Sequence, residues 1–230
     1  MSLLINDELI WISVPRCASY SIETSFYNSN LKIEHYATIF KDLVPNDVGF
    51  KHQHYNLYDL NTRWLNKKTI RIKRDWMERW LSALGHLWFT IEKNNRTPII
   101  PYSEIDNNFI YRIFTKKFAN ELYSEQGFYK QFNYIIKEYA FTENLKEVRT
   151  GLLWSQNYWL SGEKKCDFEF DINELDKFAD FIENRYGEKL SIEHKNKSKK
   201  KTNKIIVNDD LKNHIWDVFE SPFHKVSKIF

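Results

Sequence analysis

Cysteine, glycine and proline are all scarce in this chain of 230 residues: two cysteines, six glycines and five prolines. Two thiols, Cys17 and Cys166, cannot build a disulfide framework, which points to a reducing compartment. With aromatics at 17% and eight tryptophans, the shortage of glycine and proline excludes collagen-like and disordered classes. Charge of one sign is also lacking. The formal balance is +3, from 34 basic and 31 acidic residues, so no global field demands a nucleic-acid partner. No window approaches the roughly 18 uncharged apolar residues of a transmembrane helix. The opening MSLLINDELIW has neither the basic nor the long apolar region of a signal peptide. The expectation is a soluble cytoplasmic protein with no membrane partner. Heavy use of Lys, Asn and Ile suggests an AT-rich genome, bacterial or viral.

Strand-like runs are present at LIWISV (9–14), TIRIK (69–73) and CDFEF (166–170), separated by segments of helical spacing. This alternation predicts an α/β fold: a mostly parallel central sheet flanked by helices, in one domain over 1–230. Helices are expected over Ser19 to Tyr27, from Asp75 onward with Trp76, Trp80, Leu84, Leu87, Trp88 and Ile91 in phase, and through 105–141. The segment 174–187 reads as an amphipathic helix closed by Gly187. Leu211, Ile215, Val218 or Phe219, Phe223 and Val226 mark one face of a last helix. HKNKSKKKTNK (194–204) is the low-complexity stretch, and no internal repeat is visible.

In VPRCASYSI an apolar run stops at Pro15, and a helical pattern starts with no glycine between them. A strand feeding a helix through a tight loop offers backbone N–H groups and the positive end of the helix dipole to an anion. Ser19 and Ser21 would add hydroxyls there, and Arg16 a fixed charge with bidentate geometry. The alternative is an ordinary connection with Ser19 as the N-cap. A second strand ends at Lys73, with Arg74 at its tip and Ser82 on the helix that follows. Eight residues span a little over two turns, so Ser82 can share a side with Arg74.

Together VPRCASYSI and KRDWMERWLSA resemble the two cofactor motifs of the sulfotransferases that use 3′-phosphoadenosine 5′-phosphosulfate (PAPS). In that family a P-K-x-x-x-T-S loop cradles the 5′-phosphosulfate, and R-D-P-x-x-R-x-x-S binds the 3′-phosphate. Arg74, Asp75, Arg79 and Ser82 fall on the second spacing without a gap. The first motif departs at two places: Arg16 stands for lysine and Tyr20 for threonine. In the second, Trp76 stands for proline.

The resemblance implies a P-loop-like strand–loop–helix cofactor site built from Arg16, Cys17, Ala18, Ser19, Tyr20 and Ser21, with Arg74 and Ser82 on the 3′-phosphate. His52 and His54 form an H-x-H pair that is similar to the glycan 2-O-sulfotransferase branch. His54 then takes the role of catalytic base, with His52 in support and Arg16 at the leaving oxygen. Histidine suits the task because it titrates near working pH. As a metal pair, H-x-H lacks a completing Cys/His cluster, so no metal is expected. LLWSQNYWL is similar to the family's P-Q-x-x-W/Y-L segment. Its Gln156 is either a substrate contact or a buried amide satisfying backbone groups. Lys197, Ser198 and Lys199 resemble the loop that closes over the cofactor, with a solvated lysine-rich loop as the alternative.

The implied reaction moves a sulfuryl group from PAPS to an acceptor hydroxyl, on a glycan or small molecule, leaving adenosine 3′,5′-bisphosphate. Two other readings stand beside it: a nucleotide-binding protein without catalysis, and a nucleic-acid module using the lysine run. A nucleotide kinase is disfavoured, because G-x-x-x-x-G-K-[ST] is absent and 15–22 holds no glycine.

Overall fold

The computed structural model describes residues 2–35, 66–93, 100–115, 153, 155–157, 166–193 and 204–221. In chain order the described elements are β1 (Leu3–Ile5), β2 (Leu9–Trp11), α1 (Ser19–Tyr27), β3 (Ile33–His35), β4 (Lys68–Lys73), α2 (Trp76–Lys93), α3 (Asn107–Ile113), β5 (Phe168–Asp171), α4 (Leu175–Tyr186) and α5 (Asp209–Ile215). The chain divides into two compact units. One comprises Met1–Asp75 with Gln156–Lys197, the other Trp76–Ser155 with Ser198–Phe230.

The first unit is a five-stranded sheet in the order β3-β1-β2-β4-β5, flanked by helices. β2, β4 and β5 run parallel, but β1 pairs antiparallel with both β2 and β3. The expected mostly parallel sheet is therefore mixed. The cause is a hairpin at the start of the chain. Asn6 and Asp7 both adopt positive φ, 48° and 61°, and Glu8 N–H closes the turn on Ile5 O at 3.1 Å. Asn and Asp tolerate that region better than other non-glycine residues, so the chain reverses between two apolar runs.

β2 is central and buried. Leu9, Ile10, Trp11 and Ile12 are all inaccessible, as a strand covered on both faces requires. Trp11 packs on Phe26 of α1 and Phe178 of α4, with centroids at 6.1 and 5.7 Å, and those two rings meet at 6.1 Å. This aromatic triad holds both helices on one face of the sheet. α4 begins at a capping box between Asp171 and Glu174 and stops at Gly187, whose φ of 70° suits glycine.

The second unit is helical among the described residues. Trp80, Ala83, Leu84, Leu87 and Trp88 bury one stripe of α2. Trp80 packs on Phe114 and Phe219, and Trp88 on Phe109. Asp106 caps α3 and Asn208 caps α5, each side chain accepting a backbone N–H of the first turn. Helix is expected through 105–141; α3 occupies 107–113, and positions beyond 115 lie outside the described residues. After α5 the chain widens into a π-turn, Trp216–Glu220. Val218 and Phe219 are both buried, continuing the apolar stripe of Leu211 and Ile215. Phe223 and Val226 lie outside the described residues.

Candidate functional site at the strand tips

β2 and β4 are adjacent and parallel, so their carboxyl ends reach the same edge of the sheet. Ile12 N–H donates to Ile70 O at 2.9 Å, carrying the pairing past the end of β2. The chain then turns through Pro15, Arg16, Cys17 and Ala18 into α1. Arg16 and Ala18 take φ of 66° and 57°, a left-handed conformation normally given to glycine. Cys17 N–H closes the turn on Val14 O at 3.3 Å. Ala18, not Ser19, is the N-cap, and no side chain among the described residues caps the helix. The helix begins at Ser19 as expected, and the alternative of Ser19 as the N-cap is corrected accordingly.

Arg16 is mostly buried, and burial pulls its guanidinium below the ordinary arginine value. The charge of Arg74 lowers it further, while Cys17 acts in the opposite direction. Arg16 and Arg74 stand at the same edge of the sheet, past the ends of β2 and β4.

Gln156 ties the two tips together. Its Oε1 accepts from Arg74 N–H at 2.9 Å and from Cys17 Sγ at 3.4 Å, and its Nε2 donates to Arg74 O at 2.6 Å. The Gln156 carbonyl accepts from Arg71 Nη1 at 3.4 Å. Arg71, nearly buried on β4, donates through Nε to Glu169 of β5 at 2.7 Å, directly across the register. Behind the loop, Ser13 Oγ donates to the buried Glu23 carboxylate at 2.5 Å, joining the end of the strand to α1. Burial, then the Glu23 charge, pushes the Tyr27 phenol well above its usual value.

The chain matches no family model, no curated protein and no solved structure. The sulfotransferase resemblance rests on its motifs.

Of the residues singled out from sequence, the first unit brings Arg16, Cys17, Ala18, Ser19, Tyr20, Ser21, Arg74 and Gln156 to one end of its sheet. Tyr20 is half exposed. Ser82 belongs to α2 in the other unit. Arg79 is also there and wholly buried, with Nη2 3.9 Å from Glu220 Oε1 and 3.4 Å from Leu153 O. Glu220 also accepts from Ser155 Oγ. Arg79 thus serves the interior of its own unit. His52, His54, Lys197, Ser198 and Lys199 lie outside the described residues.

Sequence reasoning did not single out Arg71, Glu169 or Ser13. The alternation in TIRIK (69–73) placed Arg71 opposite Ile70 and Ile72, but nothing in it named a partner on β5.

Among the described residues no group of three His, Cys, Asp or Glu side chains could hold a metal ion. None of the described helices is long and apolar enough to cross a membrane. The N-terminus of α1, Arg16 and Arg74 lie at one edge of the sheet in the first unit.

Proposed function

We propose that this protein is a PAPS-dependent sulfotransferase whose acceptor is a carbohydrate hydroxyl. The observation that carries the reading is that Arg16 and Arg74, one from each motif, stand at the carboxyl ends of adjacent parallel strands, with Gln156 bonded to both tips. PAPS carries anionic groups at two separated points, which suits two cations with separate roles.

In this reading the backbone N–H groups of 17–21 hold the phosphosulfate, and Arg16 faces the oxygen bridging phosphorus and sulfur. Arg74 takes the 3′-phosphate, with Ser82, Lys197, Ser198 and Lys199 assigned by resemblance. The acceptor oxygen attacks sulfur in line, and the bond from sulfur to the bridging oxygen breaks. The electron pair stays on the departing adenosine 3′,5′-bisphosphate, where Arg16 stabilises it. His54 takes the acceptor's proton, with His52 supporting it. The side-chain amide of Gln156 is engaged with Arg74 and Cys17, so its role here is to position the two tips.

Binding without catalysis is the second reading. It is favoured by Tyr20, half exposed where the family has threonine.

Two measurements test both. Saturating adenosine 3′,5′-bisphosphate should raise the melting temperature, whereas ATP and a short oligonucleotide should not. Labelled sulfate should pass from PAPS to at least one member of a glycan panel, and not to phenols or tyrosyl peptides. A thermal shift without transfer would leave the binding-only reading. An oligonucleotide shift alone would point to a nucleic-acid module. No shift with the bisphosphate would end the sulfotransferase proposal.

A further inference from the structure

A polar cleft of about 110 Å³ lies between α1 and the segment after α4, within the first unit. Ser21, Thr24 and Asn28 of α1 face Lys189, Ser191 and Glu193 across it. Ser21 is more than nine-tenths buried, at 7% exposure. Among the described residues its hydroxyl takes part in no hydrogen bond; only its backbone carbonyl does, accepting from Ser25 Oγ at 3.1 Å. The Asn28 amide and the Lys189 ammonium likewise have no hydrogen-bond or ion-pair partner among the described residues. Thr24 Oγ1 donates to Tyr20 O at 2.8 Å and so keeps its acceptor lone pairs. The cleft is stabilised from beneath by Ser25 Oγ, which donates to Ser191 O.

The chemistry of these walls selects among ligands. One cation and one carboxylate oppose each other, so a phosphate would gain from Lys189 and lose to Glu193. A metal ion would find a single carboxylate. An apolar ligand would leave the hydroxyls and the amide unpaired, which is costly at a buried position such as Ser21. A polyhydroxylated ligand satisfies them, because each of its hydroxyls both donates and accepts.

Tyr20 and Tyr27, next in sequence to the cleft residues Ser21 and Asn28 on α1, are 49% and 45% accessible. Seven residues apart, they lie about 10 Å from each other along the helix axis. Large exposed aromatic rings beside a hydroxyl-lined cleft offer stacking surfaces for the C–H faces of sugar rings. We infer that the outer face of α1, with this cleft, is a saccharide-binding surface. Saccharide binding here stands without sulfuryl transfer; that the saccharide is the acceptor rests on that reading.

Saturation-transfer NMR of the full chain with maltose, lactose and chitobiose tests the inference, with glycerol as the control. At least one disaccharide should receive saturation, chiefly at its ring protons, while glycerol receives none. Tyr27→Ser and Lys189→Ser, both at exposed positions, should each weaken that binding by about three- to tenfold, the scale of one lost stacking or polar contact. Adenosine 3′,5′-bisphosphate should not displace the sugar. Absence of saturation from all three disaccharides, binding unchanged in both variants, or displacement by the nucleotide would each overturn the assignment. Saccharide binding by a protein that transfers no sulfate would sustain it while removing the sulfotransferase reading.

Discussion

Arg16 and Ala18 each hold a left-handed backbone that a non-glycine residue adopts at a cost of about 1–2 kcal/mol. Glycine would remove the strain but free the loop, so the missing glycine fixes the direction of the Arg16 side chain. Ala18→Gly is expected to raise stability by about 1 kcal/mol or less, because relief of strain exceeds glycine's entropy cost of about 0.5–1 kcal/mol. The urea midpoint should rise while affinity for adenosine 3′,5′-bisphosphate falls. A lower midpoint would show that the loop is not strained. Arg74 gives a sharper discrimination at the same scale. Arg74→Ala should weaken PAPS binding by about 2–4 kcal/mol, the scale for losing a charged hydrogen-bond partner, and leave a nucleotide lacking the 3′-phosphate almost unaffected. Equal losses for both nucleotides, measured by calorimetry, would remove the 3′-phosphate role.

Gln156 works between elements, since its side chain grips the tip of β4 and the loop after β2 at once. Gln156→Ala should therefore weaken both nucleotides alike, the opposite signature to Arg74→Ala, and cost about 1–3 kcal/mol through backbone groups left unpaired. In the helical unit Arg79 on α2 and Glu220 on the π-turn form a buried pair at 3.9 Å. Glu220→Ala removes the carboxylate facing a buried guanidinium and should cost about 3–5 kcal/mol in urea unfolding. The double variant Arg79→Met with Glu220→Leu should recover most of that loss. If the double variant is as unstable as the single one, the pair is not the source of the cost.

The pH dependence of stability follows the groups whose proton affinity changes on folding. Cys166 sits beside β5, its thiol donating to Phe168 O at 3.3 Å, and burial pushes its pKa up to about 11. The folded state then holds the thiol proton where the unfolded chain has lost it, between the ordinary value of 9.0 and about 11. Stability should be complete below pH 9 and fall by roughly 2–3 kcal/mol as pH rises through that window. Cys166→Ala should remove that part of the alkaline loss. A decline of the same size in the variant would assign it to other groups.

Periodicity made much of the architecture legible, because burial of an apolar face is a local pattern. It marked β2, β4, β5, α1, α2 and α4, and it placed Gly187 at the end of α4. The β1–β2 hairpin was missed because three-residue strands carry too little pattern, although Asn6-Asp7 between two apolar runs was its signal. The order of the motifs also put Arg16 and Arg74 at strand ends. Sequence alone thus determined which cations stand at which tips and where the apolar stripes lie, since both follow from neighbours along the chain. Only tertiary structure decided that β2 and β4 are adjacent, that Gln156 clasps them from 82 residues beyond Arg74, and that Arg79 turns inward to Glu220. It also decided that Ser21 opens onto a cleft with Lys189. These are pairings across long loops, fixed by the combined burial of many side chains, and no local spacing encodes them.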